Sequence, residues 1–254
     1  MSLRLALVVL LCGGLACGTK PAADAGPATN ESPAELIAQA DKLYAEREDL
    51  AHLRAAITAL KHARAAEPGN YEAAWRLSRA EYFLGAHTSD TSERDKAFRD
   101  GAEAGKAAAQ LQGNRPEGHF WLGANYGGSA QHSTLAGLSS VDSIIEEMEA
   151  VLHIDEGYES GSAYMALGQV YLESPKMFGG DQQKAVALLE KGLHVGENNA
   201  LLRLRLAEAY VAVGRNDDAR KQLDAIKSLK ANPDYLPEYK DAVAEADKLR
   251  TRIP

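Results

Sequence analysis

The side chains able to do chemistry are few and scattered. Four histidines, His52, His62, His119 and His132, sit in stretches with helical spacing. A zinc site needs three or four imidazole, thiolate or carboxylate ligands at short, fixed separations, and these imidazoles lack such partners. Glu146, Glu147 and Glu149 read as a solvated helix face rather than an acid/base pair. There is no GxSxG elbow, no phosphate-cradling glycine loop and no cysteine placed beside a base. A catalytic, metal or cofactor site is therefore not expected, and the chain reads as a binding protein rather than an enzyme. The side chains that remain are apolar and aromatic, and the elements that carry them repeat.

The clearest repeat is Leu201 to Leu223, LLRLRLAEAYVAVGRNDDARKQL. It reads as two amphipathic helices joined at Gly214 and Arg215. Leu206, Ala207, Tyr210 and Gly214 fall where a tetratricopeptide repeat has its large, small, aromatic and turn positions, and Ala219 and Leu223 serve the second helix. Equivalent leucines recur at Leu43, Leu77, Leu122, Leu167 and Leu206, separated by 34, 45, 45 and 39 positions. The first interval matches the repeat length of about 34 residues, and polar or glycine-rich inserts account for the longer ones. His87 to Asp95, Gly127 to Ser140 and Ser174 to Asp181 are those inserts. Ser32, Asp181 and Pro33 supply helix starts. Gly101 and Gly105 fall inside a helix, where each costs about 1 kcal/mol relative to Ala, so another element must approach closely there. The expected fold is all-α: a tetratricopeptide-repeat superhelix of about five helix–turn–helix repeats over 33–254, with Pro237 to Arg250 as a capping helix.

In such superhelices the first helix of each pair lines the concave side. Aligning the repeats collects Trp75, Arg79, Tyr82 and Phe83 from the second and Phe120, Ala124 and Gly127 from the third. The fourth adds Met165, Gln169 and Leu172, and the fifth Leu204 and Val211. An aromatic and aliphatic wall with few polar groups suits an apolar ligand. A one-position shift in register would instead make Trp75 and Phe120 core residues. Met177 and Phe178, between a proline and two glycines, could form a lip over the groove, a subunit contact or a loop tucked onto its own helices.

The chain of 254 residues carries 28 Lys and Arg against 36 Asp and Glu, and aromatics make up 6%. No basic stripe is present, which argues against a nucleic-acid partner. Arg4 followed by the apolar run Leu5 to Leu11 reads as a signal peptide over 1–16, too short to serve as a membrane span. Gly14-Leu15-Ala16-Cys17 resembles the lipobox of bacterial lipoproteins, with Cys17 as the lipidated residue and 17–32 as a flexible tether. It departs from that pattern at Gly14. Gly14 and Ala16 also satisfy the rule for ordinary signal cleavage, so both processing routes stay open. Cys12 leaves with the leader and Cys17 would be acylated, so the mature domain must be held by packing without a disulfide. Gly18 after the cysteine favours, by resemblance, the outer membrane.

The runs HFWLGANYG (His119 to Gly127), IIEEMEAVLHID (Ile144 to Asp155), LGQVY and SPKMFGGDQQKA resemble the T component of tripartite ATP-independent periplasmic (TRAP) transporters over roughly Pro33 to Leu229. That resemblance implies a periplasm-facing, lipid-anchored helical-repeat protein that forms a homo-trimer. It also implies a periplasmic substrate-binding protein as partner and a channel for hydrophobic small molecules. WRLSRAEYFLG and HFWLG bear a weaker likeness to the eukaryotic regulator of microtubule dynamics family, which the bacterial leader makes distant. The leading expectation is a non-catalytic envelope lipoprotein whose groove binds a hydrophobic molecule or a transport partner. The alternative is a generic repeat scaffold for protein–protein interaction in envelope assembly.

Overall fold

A computed structural model describes residues 31–132 and 134–253. The leader over 1–16, Cys17 and nearly all of the tether lie outside the described residues. Eleven α-helices and no strand are found among the described residues. They are α1 (Pro33–Ala45), α2 (Leu50–Ala66), α3 (Tyr71–His87), α4 (Thr91–Leu111), α5 (Pro116–His132), α6 (Thr134–Ile154), α7 (Ser162–Glu173), α8 (Gln182–Val195), α9 (Ala200–Ala212), α10 (Asn216–Ser228) and α11 (Leu236–Arg250). Consecutive helices pack as antiparallel pairs, and the pairs stack into a tetratricopeptide-type superhelix.

Local chemistry starts these helices where the sequence indicates. Ser32 and Glu35 form a reciprocal capping box at α1. Asp181 Oδ1 accepts from the backbone N–H groups of Gln183 and Lys184 at α8. The equivalent leucines all lie on the first helix of a pair. Leu77, Leu122, Leu167 and Leu206 are buried, and Leu43 is partly buried.

Two of the expected inserts are helix. Asp90 caps α4, accepting from the Glu93 N–H, so only Thr88 to Asp90 separate α3 from a 21-residue helix. The polar run beyond it is the exposed first turn of that helix, not a loop. Gly127 and Gly128 lie within α5, and α6 begins at Thr134. The long repeat intervals thus come largely from longer helices. The Met177–Phe178 insert is a single 3-10 turn, with Met177 83% exposed.

The helix glycines answer a close approach. A Cβ on Gly101 would lie 2.2 Å from Asn125 Oδ1, and one on Gly105 2.8 Å from the Leu122 backbone N. Asn125, fully buried on α5, donates to Ser78 O, Ser78 Oγ and Trp121 O, while Ser78 Oγ donates to Gly101 O. This polar seam locks α3, α4 and α5 together.

Apolar clusters follow the stacking: one spans α1 to α4, a second is centred on α5 to α7, and a third joins α8 to α11. Ala242 and Ala246 of α11 bury into the third. The other side of α11 reaches back to the start of the chain through polar contacts. Arg47 binds Glu238 and the Asp234 carbonyl, Lys240 binds Glu48, and His87 faces Asp241. A solenoid ordinarily touches only its neighbours. Here the capping helix also closes the superhelix on its first repeat.

Candidate functional site

The closed superhelix surrounds a cavity of about 700 Å³. The inner faces of α3, α5, α7 and α9 contribute to its wall, as do α6 and α11. Its apolar lining includes Phe120, Ala124, Ile144, Met148 and Val170, which pack in one cluster, together with Met165. Its aromatic side is built by contact: Trp121 packs 5.7 Å from Tyr82 and 4.9 Å from Phe120, the latter edge-on. Tyr158 meets Phe120 edge-on at 5.4 Å behind it.

Of the side chains expected on the concave face, Tyr82, Phe83, Phe120, Ala124, Gly127, Met165, Gln169 and Leu204 line the cavity. Four lie off it. Trp75 donates from Nε1 to Glu72 and lies under the Arg76 guanidinium at 4.3 Å. Arg79 is stacked over Tyr44 at 3.9 Å and reaches Asp41 at 3.5 Å, behind the wall. Leu172 and Val211 pack into the α8–α11 core. The one-position difference between Phe120 and Trp121, both of which face the space, shows how loosely a helical register defines such a wall.

The polar lining comes mostly from positions that the repeat alignment does not collect. Tyr44 from α1, Glu159 from the turn before α7, Arg205 from α9, and Tyr235, Glu238 and Asp241 near and on α11 all border the cavity. Burial pushes the Tyr44 hydroxyl up to about 12, opposed by Arg79 and Arg47. Burial lowers the charge preference of Arg205, but Glu208, 2.8 Å away, more than offsets it and keeps the guanidinium charged.

Glu159 has an unusual setting. Glu159, Ser160 and Gly161 take successive left-handed conformations, with φ of 48°, 54° and 76°. Two non-glycine residues in that region cost energy that the surroundings must supply. Gly161 fits its place because a Cβ there would lie 2.7 Å from the Gly192 carbonyl oxygen. The turn presents Glu159 to the cavity, where Tyr235 donates to its Oε2 at 2.8 Å. Burial raises the Glu159 carboxyl above its usual range, against the lowering pull of the Tyr235 hydrogen bond and Arg79.

No group of His, Cys, Asp and Glu able to hold a metal ion, and no helix long and apolar enough to cross a membrane, occurs among the described residues. Two of the histidines have carboxylate neighbours. His119 Nδ1 lies 2.6 Å from Glu147, and His52 Nδ1 lies 2.7 Å from Glu46.

Comparison with solved structures places the fold. A thermophilic TPR protein of Thermus thermophilus superposes with a TM-score of 0.60 at 22% identity, covering 84% of this chain and 100% of that one. The pilF protein of Pseudomonas aeruginosa gives 0.53 at 17% identity, covering 87% and 92%. At these identities the likeness is one of fold. None of the curated proteins matches the sequence. The profile of the TRAP transporter T-component matches residues 71–249, from the first residue of α3 to the last turn of α11. Since that match spans well over half of the sequence and takes in most of the cavity wall, the chain belongs to the TRAP transporter T-component family.

Proposed function

We propose that this protein is a non-catalytic envelope component that holds a hydrophobic small molecule in its central cavity and passes it to or from a transport partner. The observation that supports this most directly is the cavity: about 700 Å³, lined by aromatic and aliphatic side chains together with polar ones. Its size and lining fall within the range of small-molecule sites. Membership of a transporter-component family supports the transport context. In this reading 1–16 is a leader, Cys17 carries lipid, and 17–32 tethers the helical domain to the periplasmic face of the outer membrane. A periplasmic substrate-binding protein is the partner, and the protein works as a trimer.

Native mass spectrometry of the purified protein, followed by organic extraction, tests the ligand. A co-purifying apolar molecule in stoichiometric amount is expected, and Phe83→Ser and Phe120→Ser should each reduce its occupancy. Ligand-free protein whose uptake of added apolar probes is untouched by both substitutions would overturn the reading. The alternative, a protein–protein scaffold, is favoured by one feature, the exposed Met177–Phe178 turn. On that reading a protein partner is recovered and no small molecule is.

A further inference from the structure

The polar lining of the cavity carries a charge pattern that an apolar ligand alone would not use. Five carboxylates border the space, Glu159, Glu173, Glu238, Asp241 and Glu245, against the cations Arg205 and Lys230. Three of the carboxylates are matched within the chain. Glu238 is held by Arg47, Asp241 faces His87, and Glu245 is held by Lys248. Arg205 is spent on Glu208, and Lys230 is exposed at the rim. Glu173 and Glu159 are each bonded by a neutral group through one oxygen, Glu173 by the Gln169 amide and Glu159 by the Tyr235 phenol, but Glu173 is exposed whereas Glu159 is half-buried. A carboxylate partly withdrawn from water, as Glu159 is, gains from a cationic partner or a proton.

We infer that Glu159 is the head-group anchor of the cavity, and that the ligand it selects is a cationic amphiphile: a primary or secondary ammonium on an apolar tail. The inference rests on the apolar-ligand reading above and adds the class of molecule. The tail lies against Phe120, Ile144, Met148 and Met165, the apolar part of the lining. The ammonium donates to Glu159, whose second oxygen is not engaged by the chain's own hydrogen bonds. Tyr235 and the left-handed turn keep the carboxyl aimed inward. A fatty carboxylate in the same place would meet the Glu159 carboxylate as a like charge.

Proton linkage gives the pairing a signature. The groups acting on Glu159 are Tyr235 and Glu238 from the C-terminal strap, Arg79 from α3 and Arg47 from the α1–α2 turn. Arg47 is compensated by Glu238, and Arg79 lies near Asp41. Burial raises the Glu159 carboxyl and so disfavours its ionised form, which an ammonium would stabilise. Ammonium affinity should therefore rise with pH through the weakly acidic range, with proton release on binding.

The test uses the purified full chain and three twelve-carbon probes, dodecylamine, dodecanol and dodecanoate, each below its micelle concentration. Displacement of the neutral dye N-phenyl-1-naphthylamine reports cavity occupancy. Dodecylamine should bind at least about tenfold more tightly than the other two, the scale of a charge-assisted hydrogen bond in a shielded site. Glu159→Gln should erase that preference, and its pH dependence, while the dye still binds. Tyr235→Phe, a milder change, should reduce the preference in part and so guards against misfolding of the first variant. If the dye binds but dodecanoate or dodecanol equals dodecylamine, or if Glu159→Gln leaves the preference intact, the inference is wrong and the apolar-ligand reading survives. If neither dye nor probes bind, both readings fall together.

Discussion

Arg47 and Glu238, 191 positions apart, form a two-oxygen salt bridge in which Arg47 Nη2 lies 2.9 and 2.8 Å from the two carboxylate oxygens. Arg47 is 4% exposed and also donates to the Asp234 carbonyl at 2.6 Å. Its guanidinium lies over the rings of Tyr44 and Phe83. The contact fastens α11 across the cavity to the turn after α1, where no apolar cluster joins the two ends. Removing the arginine strands Glu238 and the Asp234 carbonyl, although Glu238 keeps some access to water. Arg47→Ala should therefore cost about 2–3 kcal/mol in urea unfolding, somewhat below the range for fully buried pairs. Hydrogen exchange should quicken in 233–245 before it does in α5 or α6.

The seam between α4 and α5 sets a different limit. Ala is the better helix former by about 1 kcal/mol, so Gly105→Ala on an exposed face would stabilise. Here the added carbon would press on the Leu122 backbone and on Ser78 Oγ, neither of which can swing aside. Overpacking of this kind costs about 1–3 kcal/mol, so the substitution should lower the melting temperature despite the propensity gain. A rise in Tm would contradict the close approach.

Glu93 provides the acid-side prediction. Hydrogen bonds from Arg54 and the Thr88 hydroxyl, opposed by burial, hold its carboxyl at about 2. A depressed folded value means stability that is present above the unfolded value of about 4.3 and is lost as pH falls toward 2. Arg54→Ala should shrink the difference in stability between pH 6 and pH 3 relative to the parent. An unchanged difference would show that the link from α2 to α4 does not contribute.

Met177 should behave in the opposite way to the core. At 83% exposure on its 3-10 turn it stabilises little, and Met177→Ser should change unfolding free energy by less than about 0.5 kcal/mol. A larger loss that depends on protein concentration would place this turn in a subunit contact.

The fold was legible because helix pairing is written locally. Leu77, Leu122, Leu167 and Leu206 recur at the same place in each first helix and are buried for the same reason. Cap residues such as Ser32 and Asp181 announce their helices one turn ahead. What misled was polarity. The run after His87 looked like an insert because the first turn of α4 faces outward, yet Asp90 caps it as helix. Aromatic lining such as Phe83 and Phe120 followed from repeat register, whereas Trp75 turned to its own helix partners Glu72 and Arg76. Glu159 and the α11 strap had no periodic signal. Arg47 with Glu238, and Glu159 with Tyr235, meet only because the superhelix closes, and no spacing rule links positions so far apart.

The Ser78–Asn125 seam has a mechanical consequence. Where helices touch backbone to backbone, no side-chain layer remains to shear, and hydrogen bonds fix the angle between them. The α3–α5 wall then acts as a stiff plate. The closure of α11 onto the first repeat, made by ion pairs and hydrogen bonds, is the compliant side. Any swelling of the chamber to take a bulkier guest must be hinged at α11, which makes the guest's dimensions a property of the C-terminal helix more than of the aromatic side chains it would touch.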